Sequence, residues 1–527
     1  MKKESVNEEN TIKSSFKRGL NTVLSTIFNR ATIMIALIIV QFIWFGVGLL
    51  ALVDYAEWIT AAFTALAIVM ALVVIYKDLN PAYKMGWIML ICLAPIWGTV
   101  AYLLFGDKRP SKRLKARLDP IEEKHLKDLK QVYHLGEVSD GRMMNTLQYI
   151  DEWGTYPAWS DTKTSYYSCG EDAFEAMLED LRNAKHYIFM EYFIINTGYM
   201  WDQIFEILKE KAEEGLDVRL IYDGFGSVPR LPLSFNRSLE EAGIKYMVFN
   251  PLKPVASLVY NNRDHRKITV IDGYIGYSGG YNLADEYINR VKRFGHWKDA
   301  GIRLEGKAVW NFTVMFLNMW SAFVKEEEDY LKFRPLVHYE KSSFDSDGIV
   351  QPYSDSPLDD ELLGENVYME FINQATDYVY IFTPYLILDN EMLTCIELAS
   401  KRGVDVRIVI PGIPDKKLIY RLSKSYYLHL LKSGVKIYEY APGFIHSKCM
   451  LSDGHRGIVG TINFDYRSLF LHFECAVLML GSSALNDLKD DFYNTFDESV
   501  NVTIKDCRTS FFGKLLDGLL RALSPLF

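Results

Sequence analysis

The pattern His-x-Lys-x-x-x-x-Asp stands twice in this chain, as His265, Lys267 and Asp272 in HRKITVID and as His446, Lys448 and Asp453 in HSKCMLSD. Each copy runs into a turn, a glycine step and an asparagine, Asn282 in SGGYN and Asn463 in VGTIN. Three further matches precede the copies in the same order: KHYIFMEYFI with DYVYIFTPYLI, EEGLDVRLIYDG with KRGVDVRIVIPG, and EEAGIKYMVFNP with LKSGVKIYEYAP. Such an ordered repeat requires one supersecondary unit used twice. The pattern of apolar runs gives strand, helix, strand, helix, strand and then the His-Lys strand, an α/β layered unit with a buried sheet. Two such units can face each other with their histidines across one cleft.

A strand places residues two apart on one face, so His265 shares a face with Lys267, and His446 with Lys448. An imidazole beside an ammonium suits a phosphate. Asp272 and Asp453 fall on the opposite parity, next to Gly273 and Gly454, and are expected to lock hairpin turns. The carboxylates that orient the rings are therefore sought elsewhere. Asp299 in HWKDAGIRL and Glu474 in HFECAVLML each head an apolar strand downstream of the corresponding His. A carboxylate on the far ring nitrogen fixes the tautomer and supports a charged imidazole. Lys267, Lys448, Asn282 and Asn463 are expected around the phosphate oxygens.

Taken together, these residues resemble the phospholipase D superfamily and, within it, the bacterial cardiolipin synthases. The likeness covers nearly the whole chain, through PIWGTVAYLLFG, MEYFI around Glu191, DHRKITVIDG, SGGYNLADEY, FTPYLI around Pro384 and the closing SPLF. The resemblance implies two tandem phospholipase D-like α/β units sharing one active-site cleft, preceded by an N-terminal transmembrane helical region. It implies transfer of a phosphatidyl group between two phosphatidylglycerol molecules, giving cardiolipin and glycerol through a covalent phosphatidyl-histidine. By the superfamily's order His265 is the nucleophile and His446 the general acid and base, and no cofactor or metal is needed. One departure is His472, where LHFE replaces the LNFE common in the family. A membrane-anchored phospholipase D hydrolase, or a transferase to another alcohol, would use the same residues. An inactive membrane scaffold is the reading from a different class, and both intact His-Lys pairs argue against it.

The apolar residues, 49% of the chain, are ample for a core and a membrane anchor. Ala31 to Val53 and Trp58 to Tyr76 read as two spans of the membrane. Met85 to Gly106, interrupted by Pro95 and Gly98, reads as a re-entrant or interfacial segment. Lysine and arginine crowd residues 2–30 and return at Lys77, Lys84 and from Lys108 to Arg117, which places the N-terminus and the catalytic part in the cytoplasm of a multi-pass protein of the bacterial cell membrane. The plan is a basic segment 1–30, a membrane region 31–106, a basic linker 107–135, α/β units at 136–335 and 336–500, and an amphipathic segment 501–527. The partners expected are phosphatidylglycerol and the bilayer. A net charge of −9 argues against a general nucleic-acid binder. Six cysteines without metal-ligand spacing read as reduced thiols, and His296, His455 and His472 as loop or supporting positions. Glu191 is open to either a substrate-pocket or an edge role.

Overall fold

The computed structural model describes residues 39, 40, 43, 44, 53–77, 80–106, 112–129, 141–251, 262–324, 328–359 and 361–526. The chain divides into two compact units, one of residues 1–109 with 252–260, the other of 110–251 and 261–525.

In the first unit three helices follow one another: α1 (Val53–Tyr76), α2 (Pro81–Leu93) and α3 (Pro95–Phe105). Asn80 caps α2 by accepting the Ala82 N–H, with Pro81 in the first turn where its missing donor costs nothing. At Pro95 the chain breaks, Ala94 leaving helical angles (φ −137°, ψ 70°) as the residue before a proline must. Gly98 then lets α3 fold back on α2, since a Cβ there would stand 2.4 Å from the Leu90 carbonyl oxygen. Ala67, Val74, Tyr83, Trp87, Ile91, Ala101 and Tyr102 bury a small core between the three. Among the described residues no helix is long and apolar enough to cross a membrane. α1 carries Asp54 and Glu57 among its first five residues. The apolar stretch that remains, Trp58 to Tyr76, rises only about 28 Å against a hydrocarbon core of roughly 30 Å. The run 31–53 lies almost entirely outside the described residues.

The second unit holds both repeats. Its strands are β1 (Thr162–Tyr167), β2 (Tyr187–Tyr192), β3 (Asp217–Asp223), β4 (Lys245–Phe249), β5 (Arg263–Asp264), β6 (Lys267–Ile271), β7 (Ile275–Gly279), β8 (His296–Lys298) and β9 (Gly301–Gly306). The second repeat continues with β10 (Ile349–Asp355), β11 (Tyr378–Phe382), β12 (Asp405–Pro411), β13 (Lys436–Tyr440), β14 (Gly443–Ile445), β15 (Cys449–Ser452), β16 (Arg456–Gly460), β17 (His472–Leu480) and β18 (Ser499–Asn501). The first sheet runs β1-β9-β7-β6-β2-β3-β4, and the second runs β10-β17-β16-β15-β11-β12-β13, with β18 added at its edge. Strand for strand the two orders are the same.

Local chemistry explains the elements. Between parallel β2 and β3 the chain crosses over through α4 (Tyr199–Glu213), which buries Met200, Trp201, Ile204, Ile207 and Leu208 at helical spacing. The helix that follows the first sheet, α5 (Val309–Phe323), is mostly apolar and is buried over Val309–Trp320. It is the kernel of a core common to both sheets, in which Phe189, Val270 and Leu304 of the first meet Val350, Phe382 and Val477 of the second. Replacing a side chain there, such as Phe316→Ala, would cost about 3–5 kcal/mol. In the second repeat α6 (Asn390–Lys401), capped by Asp389 on the Met392 N–H, makes the crossover from β11 to parallel β12.

Two short parallel pairings stitch the repeats together. β5, just before His265, pairs with the start of β17, Arg263 opposite His472. β14, just before His446, pairs with β8, Ile445 opposite Lys298. Near the C-terminus α7 (Lys417–Lys432) receives α8 (Phe511–Leu523) through Arg421 to Asp517 at 2.7 Å and Arg521 to Ser425 at 2.9 Å. Only Leu520 of α8 is buried; Phe511, Phe512, Leu515, Leu516 and Leu519 are exposed, so the apolar stripe faces outward and does not cap the core.

Candidate active site

Neither histidine lies within a strand. Each stands in the break where the chain leaves a pairing with the other repeat and enters its own sheet, His265 between β5 and β6 and His446 between β14 and β15. Shared strand parity therefore does not describe the His and Lys as expected. Instead each lysine folds back on its histidine: Lys267 Nζ donates to the His265 carbonyl oxygen at 2.6 Å, and Lys448 Nζ to that of His446. All four side chains are buried.

The orienting carboxylates are Glu474 and Asp299, but crossed between the repeats. His265 Nδ1 lies 2.9 Å from both carboxylate oxygens of Glu474, and His446 Nδ1 lies 2.8 Å from Asp299 Oδ2. The pairings of β5 with β17 and of β8 with β14 impose this exchange, since each brings a histidine beside the other repeat's acidic strand head. With Nδ1 held by a carboxylate, Nε2 is the ring nitrogen left to react. Trp297 Nε1 donates to Asp299 Oδ2 at 3.3 Å, and the Thr461 hydroxyl to Glu474.

Electrostatics ties the two pairs into one site. Burial, then the Lys267, Lys448 and His446 charges, hold His265 well below the usual imidazole range. Burial and Lys448 bring His446 down to about 4. Burial also lowers Lys267 to about 8 and Lys448 to about 7. For Asp299 burial alone would raise the carboxyl, yet His446 and Lys448 beside it keep it below the usual range. The site buries two imidazoles and two lysines, whose charged forms burial disfavours and an entering anion would favour.

Other expected residues serve the framework. Asp272 accepts the N–H groups of Lys185, His186 and Tyr187 at 2.8–2.9 Å, and Asp453 those of Thr376, Asp377 and Tyr378 at 2.9–3.0 Å. Both sit at positive φ, 51° and 52°, at the tip of the hairpin. Their carboxylates fasten the approach to β2 and β11. The Asn282 carbonyl accepts the Ile194 N–H at 2.9 Å and its amide donates to the Tyr287 hydroxyl at 2.8 Å. It positions Tyr287, whose ring packs on His446 at 5.6 Å, and is not spread toward a phosphate. Asn463 donates to Ser468 at 3.1 Å while its buried carbonyl oxygen has no partner among the described residues. Glu191 is fully buried in β2, 2.6 Å from Arg266, and burial, only partly offset by that guanidinium, drives its carboxyl well above the usual range. Strand register gives it Phe382 as its counterpart, because Glu191 faces Ile268 as Phe382 faces Cys449.

Sequence reasoning passed over Arg266 and the place of His472. His472 lies beside Glu474 and 5.6 Å from the His265 ring. No local pattern announces it, because the contact depends on the pairing of β5 with β17. Cys449 is buried with its thiol raised by burial, and all six cysteines are free.

A doubled α/β fold that brings one His-Lys pair from each half into one pocket defines an enzyme of the phospholipase D class. Comparison with known proteins is more specific. The chain matches the family described as cardiolipin synthase, PLD-like domain, over residues 177–300 and 368–496, and the phospholipase D-nuclease N-terminal family over 65–106. A cardiolipin synthase of Halalkalibacterium halodurans is 31% identical, covering 89% of this chain and 94% of that protein, and a protein of Streptococcus mutans is 45% identical over 84% of this chain and 95% of its own length. The crystal structure of phosphatidylserine synthase from Haemophilus influenzae superposes with a TM-score of 0.54 over 73% of this chain and 98% of that one, at 12% identity, a likeness of fold. The chain belongs to the phospholipase D-like cardiolipin synthase family and is a phosphatidyltransferase.

Proposed function

We propose that the enzyme makes cardiolipin from two molecules of phosphatidylglycerol. His265 Nε2 attacks the donor phosphorus, the bond from phosphorus to the glycerol oxygen breaks, and His446 gives that oxygen its proton. His446 then takes the proton from a hydroxyl of the second phosphatidylglycerol, whose oxygen attacks phosphorus as the bond to His265 breaks. Lys267 and Lys448 neutralise the charge gathering on the phosphoryl oxygens. Tyr287, Trp297 and Phe444 surround His446, an aromatic setting that attracts the imidazolium it is before the first step and becomes again after the second.

The observation that carries this reading is the crossed pair of His-carboxylate contacts, which makes both halves parts of one site. Family membership supplies the choice of lipid. The reading also places the chain in the cell membrane as a multi-pass protein with its catalytic unit in the cytoplasm. Support comes from the charge-free run 31–53, the exposed Ile68, Val69, Leu72 and Ile75 of α1, and the outward apolar stripe of α8, a lipid-facing pattern rather than that of a water-exposed surface.

Labelled phosphatidylglycerol and the purified enzyme in liposomes test the function. Cardiolipin and free glycerol in equal amounts are expected; phosphatidic acid as the product would overturn the synthase reading in favour of a hydrolase. Single cysteines near residues 55 and 115 test the topology: residue 115 should stay unlabelled by an impermeant reagent outside intact cells, and labelling there would overturn the cytoplasmic placement.

A further inference from the structure

His472 has no part in the reaction above. Its side chain is nine-tenths buried, and neither ring nitrogen has a hydrogen-bond partner among the described residues. Glu474 Oε1 is 3.8 Å from its Nδ1, beyond hydrogen-bond reach. A buried imidazole with both nitrogens unmatched is open to a ligand. One nitrogen of His265, one of His472 and one carboxylate oxygen of Glu474 lie within 4.8 Å of one another. Zn²⁺ holds imidazole nitrogen and carboxylate oxygen at about 2.0–2.2 Å, so tetrahedral donors stand roughly 3.3 Å apart; His265 Nδ1 and Glu474, now 2.9 Å apart, would open slightly and His472 would close on them. Two imidazoles and one glutamate with a fourth position for water form a recognised zinc donor set.

We propose that His265, His472 and Glu474 bind a divalent transition-metal ion, with Zn²⁺ the prototype, and that its occupation blocks phosphatidyl transfer. On binding, the ion takes the place of the proton that His265 Nδ1 shares with Glu474, and that proton passes to solvent. The Thr461 hydroxyl remains on Glu474. The ammonium groups of Lys267 and Lys448 work against a cation here, which favours a metal with strong nitrogen affinity over Mg²⁺ or Ca²⁺. The equivalent place in the other pair is closed, because Trp297 stands where His472 does and donates to Asp299. The blockade rests on the reading of His265 and Glu474 as reacting groups; the binding does not.

The test uses the full-length enzyme in detergent, stripped of metal and titrated with ZnCl₂ by calorimetry, with CoCl₂ as a visible-absorption probe. One ion per chain is expected, with cardiolipin formation lost at the same midpoint and restored by EDTA. His472→Asn and, separately, His472→Gln should weaken binding about tenfold or more and shift the inhibition midpoint equally, with native melting curves as the check on folding. No stoichiometric binding, or unchanged isotherms in both well-folded variants, would overturn the site. Binding that depends on His472 yet leaves turnover intact would overturn the blockade. An enzyme that makes no cardiolipin at all would sink the synthase reading, while the isotherms would still decide this one.

Discussion

Around His446 stand the rings of Tyr287, Trp297 and Phe444, with centroids 5.6, 5.3 and 5.9 Å away; around His265 stand Phe193 at 5.0 Å and His472 at 5.6 Å. The carboxylates differ as well. Thr461 donates to Glu474, whereas its counterpart Gly280 has no side chain because a Cβ there would lie 2.0 Å from Asp299 Oδ1. Behind the first motif the buried Glu191–Arg266 pair fills the place held in the second by Phe382 and Ser447. Two copies of one backbone thus keep their strand order and their His-Lys pairs, and diverge in what touches the rings. That is how a symmetric scaffold gives two histidines unequal tasks.

The sharpest way to break the comparison is to remove each histidine. His265→Asn and His446→Asn should each lower cardiolipin formation about 10⁴-fold or more, the scale for groups acting as a unit. Only His446→Asn should leave a phosphatidyl adduct, recovered by denaturing quench at alkaline pH and mass spectrometry on the peptide holding His265. An adduct in the His265→Asn enzyme would reverse the assignment. Next in size are Glu474→Gln and Asp299→Asn, each expected to cost about 10²–10⁴-fold in kcat through loss of ring orientation. Equal activity to the parent would remove the carboxylates from the account.

The lysines give a smaller, pH-dependent effect. An oxyanion such as tungstate binds the ammonium forms of Lys448 and Lys267, which lie at about 7 and about 8 in the free enzyme. Binding raises those values, so affinity is full below the lower one and falls as pH rises, by about tenfold per unit for each lysine that has lost its proton. Inhibition constants measured from about pH 6 to 9 check this, and a flat profile contradicts it. Smallest for the chemistry is Asp272→Ala, which strands three main-chain donors and should lower stability by about 1–3 kcal/mol in a denaturant melt while the folded fraction keeps its kcat. Asp453→Ala should cost less, since Asp453 and Tyr378 are less buried than Asp272 and Tyr187 and water can replace the carboxylate.

Much of this was legible in the residues. The repeats KHYIFMEYFI with DYVYIFTPYLI and GLDVRLIYDG with GVDVRIVIPG become matching strands of matching sheets, because a buried parallel sheet needs long β-branched runs that a reader can see. Pro95 breaks its helix where proline chemistry demands. Asp299 and Glu474 were visible as strand heads. What could not be read was the exchange between halves. β5 and β14 are two and three residues long, and their partners lie in the other repeat, so no periodicity encodes them. The same exchange sets the contact of His472 with the His265 ring, and the fold brings Ile194 to Asn282, neither of which a local pattern announces.

The crossed pairing is best measured without turnover. Spectra of enzyme carrying ¹³C-labelled histidine, titrated with pH, report each ring separately. Asp299→Asn should move the titration of His446 and leave that of His265 nearly in place, and Glu474→Gln should do the reverse. If instead Asp299→Asn moves His265 and Glu474→Gln moves His446, each half completes its own histidine and the shared site described here is wrong.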